Sequence, residues 1–480
     1  MGQALNFLQA NRDGAAQVAR LDALLSRYYD FSHHEIDLGL ARITQVLELL
    51  DNPQNKIAPA IHIAGTNGKG STLAFLQALL QGEGATIHKM SSPHLISFHE
   101  RLYISDQFIT TPALLDLLEG LEPLYKKNEV SFFEAITAAG YKIFAEHQAD
   151  FCLIETGMGG RFDASNVIEK PALTIITTIS RDHEKFLTSD IQKIAREKAG
   201  IMKPGVPCIV GPQIFPEALE VIRVEADKIQ APLYCAGQDW FIDNDQKGNA
   251  CLFLEPKQGW PISEAIHILP ELPLDGQHQC GNAAAALLSA KILLSQKRQE
   301  NVCIGHLTPH LKNTKWPARM QKLNSHPYKA LIEKNDELWL DGAHNDSAAL
   351  ALAAHLRQWK GQENCVIYMV TAMLGTKNPE EFFGPLRCVL DGIACVPVPS
   401  DWSGFTPEAL LDIACPDDGV AGNNACQRLG AYESVEQALE HIAQNTQAKS
   451  GKKAYYLICG SLYLAGSVLG ADANAENYFS

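Results

Sequence analysis

The stretch from Ile61 to Thr72, IHIAGTNGKGST, constrains this chain more than any other, because a short apolar run breaks into glycines around one lysine before a helical pattern begins. That is how a phosphate-binding loop is written. Gly65, Gly68 and Gly70 let backbone N–H groups converge on an anion, Lys69 adds a point charge, and Ser71 is placed to reach a divalent cation. The spelling departs from GxxxxGK[ST]: two residues separate Gly65 from Gly68, and Gly70 stands between Lys69 and Ser71. Taken alone, the segment also reads as a glycine turn with no ligand.

With 480 residues, 46% hydrophobic and 20% charged, the chain is too long for one core and suits two or three domains. A net charge of −15 argues against a general nucleic-acid or acidic-membrane surface, while leaving room for a local basic pocket. The 12 cysteines form no CxxC pair, which argues against a disulfide framework or structural zinc and fits a reducing cytoplasm. MGQALNFLQANRDG reads as neither a secretory signal nor a myristoylation site, and no apolar run approaches a membrane span.

Helical periodicity is predicted over residues 15–50, with a turn at Asp51-Asn52-Pro53 and a strand from Ile61 to Ala64. The helix after the glycine loop places Leu73, Leu76, Leu79 and Leu80 on one face. Further strands are predicted at Phe151 to Ile154, Leu173 to Thr178 and Cys208 to Val210, with helical patterns between them, which implies a parallel, doubly wound sheet. Gly237 to Gly276 reads as hairpins or loops, and an alanine-rich helix follows from Asn282 to Leu294. NTKWP then breaks the pattern, before strands near Leu338 to Leu340, Cys365 to Val370 and Tyr455 to Cys459. The expected organisation is α/β in two domains: a P-loop ATPase-like doubly wound sheet over residues 1–311 and a smaller Rossmann-like domain over 312–480. The tail from Ala471 to Ser480 reads as polar and frayed.

Several polar clusters stand just beyond the carboxyl ends of these strands, where open parallel sheets place ligands. Glu155 opens ETGMGGRFDASN, Asp182 and His183 come shortly after TIITTIS, Asp341 opens DGAHN, and Ser92 sits in SSPHL behind a strand ending at Met90. Lys198 is informative by position. Ile191, Ile194, Ala195, Ile201 and Met202 mark one helical face, and Lys198 falls on it. Either its ammonium snorkels to water or the lysine serves a function there.

GTNGKGS, SSPHL, EKAGI, WPARM and DGAHN together resemble the folate branch of the Mur ligase superfamily, the folylpolyglutamate synthases, and especially the bacterial kind that also acts as a dihydrofolate synthase. The resemblance runs from Ile36 to Ser467. It implies ATP and Mg2+ as cofactors, a folate or pteroate and L-glutamate as substrates, no nucleic-acid or membrane partner, and a monomeric cytoplasmic enzyme. Gly65, Thr66, Asn67, Gly68, Lys69, Gly70 and Ser71 would cradle ATP together with Asn282, Arg319 and Asp341, the last on the ribose. Ser71, Ser92, Glu155 and His183 would hold magnesium; oxygen donors suit that hard ion, and a histidine nitrogen is less usual. The family lysine matching Lys198 is carbamylated, which would turn a buried cation into a carboxylate-like ligand for a second magnesium.

By the same resemblance, His344 lies near the phosphates or the reacting centre, and Ser461, in CGSLYLAGS, near the incoming glutamate. Phe133, in SFFEAIT, and Asp163 match a pterin pocket, one stacking and the other accepting hydrogen bonds. Phe133 reads equally well as ordinary core. The chain also departs from the family: Ala318 replaces a usual glycine, Thr188 another after the DH segment, and Thr376 and Asn378 stand where many members have aspartates.

The expected reaction is ATP-dependent ligation. Phosphoryl transfer to a pteroyl or folyl carboxylate gives an acyl phosphate that the amine of glutamate attacks, with Lys69, Lys198 and His344 as the catalytic residues. Two other classes stay open: a Mur-type amino-acid ligase for peptidoglycan precursors, and a non-catalytic nucleotide-dependent binding protein. The spread of ligand candidates over two domains favours bond formation.

Overall fold

Ile61 and Ile63 point to one face of strand β1 (Ala60–Ala64), His62 and Ala64 to the other, and all five residues are buried. A strand covered on both faces reads as an apolar run rather than an alternation. In the computed structural model, which describes residues 15–30, 39–181, 190–245, 249–255, 266–399, 403–416, 426–446 and 452–479, β1 is central to the larger of two parallel sheets.

The other strands of that sheet are β2 (Ile87–Met90), β3 (Leu102–Ile104), β4 (Gln107–Phe108), β5 (Phe151–Glu155), β6 (Leu173–Ile176), β7 (Cys208–Val210) and β8 (Leu233–Cys235). Their order is β4-β3-β2-β5-β1-β6-β7-β8, parallel except for β3 and β4 at one edge. Helices Lys69–Gly82 and His278–Arg298 cover the face of Ile61 and Ile63. Helices Thr111–Lys127 and Phe132–Glu146 cover the opposite face beside β5, and Ile191–Ala199 and Pro216–Ile229 cover it beside β6 and β7. The chain leaves β1 towards β2 and later passes from β5 to β6 across β1, so the loop after β1 opens at the topological switch point, where such sheets bind ligands.

The polar stretch that follows forms an antiparallel sheet of β9 (Trp240–Asn244), β10 (Ala250–Leu254) and β11 (Ile266–Ile268), with Trp240 and Leu252 buried in the core beside helix His278–Arg298. The second α/β domain has β12 (Gln321–Lys322), β13 (Glu337–Leu340), β14 (Cys365–Thr371), β15 (Gly392–Cys395), β16 (Gln427–Ala431) and β17 (Lys453–Cys459). They are ordered β12-β13-β17-β14-β15-β16, parallel apart from β12. All seven residues of β14 are buried, as a central strand requires.

Three expectations are corrected. The helical region over 15–50 is two helices, Ala15–Tyr29 and Ala41–Leu49, with residues 31–38 outside the described ones. Strand β6 stops at Ile176 because the next residues serve the glycine loop: the Thr66 and Asn67 N–H groups donate to Thr178 O at 2.9 and 3.3 Å. The tail is docked, not frayed: the Tyr478 hydroxyl donates to Asp472 at 2.6 Å, and the Phe479 ring meets Phe108 edge-on.

Candidate active site

The glycine loop owes its spelling to what lies against it. Gly68 has φ +89° and caps helix Lys69–Gly82, and a Cβ there would stand 2.6 Å from Asn282 Oδ1. At Gly70 a Cβ would stand 2.5 Å from the ring of Trp316, in the segment linking the two domains. The glycine between Lys69 and Ser71 is therefore set by the close seat of that indole. Lys69 Nζ donates to the carbonyls of Gly65 and Thr66 at 3.1 and 3.3 Å, curling its ammonium back over the loop it follows.

A cavity of about 1340 Å3 opens between the two α/β domains. Thr66, Asn67, Gly68, Lys69, Gly70, Ser71, Ser92, Glu155 and Asn282 line it from the first domain. Arg319, Asp341, His344 and Ser461 line it from the second. Glu155, at the end of β5, is 5% exposed and accepts the Ser92 N–H at 3.2 Å. Burial pushes its pKa up, opposed by Lys69, the Ser92 N–H, Arg319 and Lys89. A cation would relieve that penalty, and the hydroxyls of Ser71 and Ser92 are hard donors of the kind magnesium takes. Among the described residues no three of His, Cys, Asp or Glu gather as a metal cage, so a cation here would complete its shell with hydroxyls, water and phosphate. His183, Asp182 and Thr188 lie outside the described residues.

Asp341 and His344 follow the carboxyl end of β13 and Ser461 that of the adjacent β17, whereas Arg319 stands just before β12. Asp341 accepts the N–H groups of Met320 and Ala343, both at 2.7 Å, tying WPARM to DGAHN. Ala318 has φ +56°, the left-handed backbone glycine adopts at no steric cost, and its carbonyl accepts from Gly342 N–H at 2.9 Å and Arg319 Nη1 at 2.8 Å. Burial pushes the Arg319 pKa down, while Asp341 and Glu155 favour its charge. His344 Nδ1 donates to Gly342 O at 2.7 Å, which makes Nε2 the acceptor nitrogen. Ser461 caps helix Leu462–Gly470, its hydroxyl accepting the Tyr463 N–H at 3.1 Å.

Gly65, Phe133, Asp163 and Lys198 do not line the cavity. Lys198, 5% exposed, reaches under the glycine loop and donates to Gly65 O at 2.8 Å, so it does not snorkel. Asp163 accepts the Met158 and Ser165 N–H groups at 2.8 and 3.0 Å and the Ser165 hydroxyl, anchoring its own loop. Phe133 is half-buried, its ring lying on Gly157, which does line the cavity.

Two features escaped the sequence reading. Lys89 of β2 lines the cavity although its neighbours are core, and its signal in the sequence is the one Lys198 also gives, a single lysine interrupting a buried pattern. Asn67 meets Asn345 across the domains, a pairing with no signal in local sequence.

Residues 63–290 match the family model described as Mur ligase middle domain, and residues 321–471 that described as dihydrofolate synthetase, C-terminal domain. The dihydrofolate synthase/folylpolyglutamate synthase of Bacillus subtilis is 36% identical over 438 residues, covering 90% of this chain and 94% of that one. The Mycobacterium tuberculosis folylpolyglutamate synthase crystallised with ADP and AMPPCP superposes with a TM-score of 0.77 at 26% identity, over 94% of this chain and 97% of its own. A bifunctional folylpolyglutamate synthase/dihydrofolate synthase of Yersinia pestis, complexed with AMPPNP and manganese, gives a TM-score of 0.73 at 25% identity, over 95% and 97%. Two α/β domains closing on a glycine-loop cavity, and sequence likeness along nearly the whole chain, place this protein in the dihydrofolate synthase/folylpolyglutamate synthase family of ATP-dependent ligases, within the Mur ligase superfamily.

Proposed function

We propose that the chain joins the amine of L-glutamate to the carboxylate of dihydropteroate, of tetrahydrofolate glutamates, or of both, with ATP converting that carboxylate to an acyl phosphate. The observation that carries this reading is a shared cavity in which the glycine loop of one domain faces Arg319, Asp341 and His344 of the other. Ligation needs nucleotide, acid and amine held together, and a cavity of about 1340 Å3 exceeds what the nucleotide alone requires.

In this reading the loop from Gly65 to Ser71 holds the ATP phosphates on backbone N–H groups. Lys69 moves from the loop carbonyls to the transferring phosphoryl group, where its charge counts most. Arg319 meets phosphate from the opposite wall, with Asp341 on the ribose and Asn282 beside the loop. Magnesium, when bound, offsets charge on the transferring group; Ser71, Ser92, Glu155 and His183 are its proposed ligands, with carbamylated Lys198 holding a second ion. His344 Nε2 accepts a hydrogen bond from the incoming amine, and Ser461 lies on the glutamate side. Phe133 and Asp163 shape the pterin pocket through the loop beyond Gly157.

The proposed division at residues 311 and 312 falls within the short helical segment Thr308–Asn313, which packs on the glycine-loop helix through His310 and Glu83. The enzyme is taken as monomeric and cytoplasmic, and no helix among the described residues is long and apolar enough to cross a membrane.

The test supplies ATP, magnesium and glutamate with dihydropteroate or tetrahydrofolate in parallel and resolves products by mass. Gain of one glutamyl residue, with ADP release that needs both acid and amine, is the expected result. ATP turnover indifferent to folate would overturn the reading.

A further inference from the structure

Lys89 lies in β2, in the sequence IHKM, and is 5% exposed. Burying an ammonium is costly unless an anion or several acceptors compensate. Among the described residues its Nζ donates one hydrogen bond, to Gln77 Oε1 at 2.8 Å, and has no carboxylate in ion-pair contact. Glu155 and Glu100 favour its charge through space, but the Glu100 oxygens accept the N–H groups of Leu95, Ile96 and Ser97 at 2.6–2.7 Å. An ammonium carries three N–H donors. The rings of Tyr103 and Trp316 flank it, with centroids 5.2 and 5.1 Å from Nζ. Gln81 and the exposed Lys312 and Lys315 line the same cavity, adding positive charge in a chain that is acidic overall.

This arrangement suits an anion that comes with the substrate. Gln77, which holds this ammonium, lies two turns beyond Lys69 on helix Lys69–Gly82, about 12 Å along its axis, while Trp316 on the other side of Lys89 reaches back to Gly70. A γ-glutamyl unit adds five chain bonds, roughly 6 Å when extended. A carboxylate one or two units back from the reacting end therefore reaches Lys89 while that end sits at the glycine loop.

We infer that Lys89 and Gln77 form a carboxylate subsite for the glutamyl chain already carried by the folate, and so select glutamylated substrates over dihydropteroate. This rests on the ligase reading above. Dihydropteroate has no glutamyl carboxylate to offer, so Lys89 contributes to one branch of the activity only.

The experiment compares Lys89→Met and Gln77→Leu with the wild-type chain, using tetrahydrofolate diglutamate and dihydropteroate as alternative acids and varying glutamate separately. For Lys89→Met, the KM for the diglutamate relative to that for dihydropteroate should rise about tenfold or more, the worth of one charged hydrogen bond. Gln77→Leu, which leaves the cation in place, should shift the same ratio less and remains informative if Lys89→Met folds poorly. An unchanged ratio in both variants, or a rise confined to the KM for free glutamate, would overturn the assignment. A wild-type chain that ligates no folate would instead overturn the ligase reading, and this subsite with it.

Discussion

Asn67 and Asn345 exchange two amide hydrogen bonds, at 3.1 and 3.0 Å, although they stand 278 residues apart. One belongs to the glycine loop and the other caps helix Asp346–Gln362 of the second domain, its Oδ1 also accepting the Ala348 N–H at 2.9 Å. The pair therefore fixes how the second domain's ligand groups approach the nucleotide loop.

Removing either amide should cost closure. Asn67→Ala should lower kcat/KM for ATP about tenfold with little change in Tm, as expected for losing an exchanged pair of neutral hydrogen bonds. Asn345→Ala should lose the same activity and, in addition, about 1 kcal/mol of stability from the missing helix cap. The double variant should be no less active than the worse single, because both changes break one pair. Additive losses would show that the two residues act separately.

Asp163 tests the loop that leads to the pterin end. Its carboxylate holds two backbone N–H groups and the Ser165 hydroxyl, and burial pushes its pKa up against those bonds. Asp163→Ala should cost about 2 kcal/mol by orphaning buried donors, and ligation to dihydropteroate should fall further than extension of a reduced folate. Thermal melts and parallel kinetics decide: equal losses with both substrates would leave Asp163 as a loop anchor alone.

The central parallel strands were legible because both of their faces are covered, so FCLI, CIV and the run after Cys365 stand out as apolar blocks, whereas the parallel strands β8, β15 and β16 towards the sheet edges, short or broken by glycine, do not. The short antiparallel edges β3, β4 and β12 were not, since two or three residues carry no period and depend on a neighbour far along the chain. The same contrast holds in the site. Residues on the glycine loop and at strand ends announced themselves by motif, whereas the Asn67–Asn345 pair and the seat of Trp316 on Gly70 exist only once two domains meet.

Lys89 should leave a mark on stability as well as on specificity. Burial pushes its ammonium down to about 8, below the usual lysine value. Between that value and roughly 10.4 the folded chain binds fewer protons at this site than the unfolded chain, so this group's contribution to stability rises with pH across the window. Lys89→Met should therefore raise stability at neutral pH by on the order of 3 kcal/mol, and the gap to wild type should narrow as pH rises towards the upper limit. Urea midpoints of both proteins across that range read it directly. A gap independent of pH would mean that the lysine keeps its ordinary pKa through contacts with solvent.

Lys198 carries the last expectation. It is buried, it donates to Gly65 O at 2.8 Å, and it lies beneath the loop rather than in the cavity wall. A carbamate keeps one N–H on that nitrogen, so the bond to Gly65 survives the modification while two oxygens are gained for a metal ion. Lys198→Ala should lose most activity, and short-chain carboxylic acids should restore part of it by filling the vacated anionic position. The same acids should not rescue Lys69→Ala, where a cation is missing from the phosphates. Intact mass measured in bicarbonate should show the wild-type chain heavier by one carbon dioxide and Lys198→Ala unchanged. Full activity with bicarbonate excluded and no added mass would leave Lys198 as an unmodified prop for the glycine loop, in which case Lys198→Ala should lower Tm and no acid should rescue it.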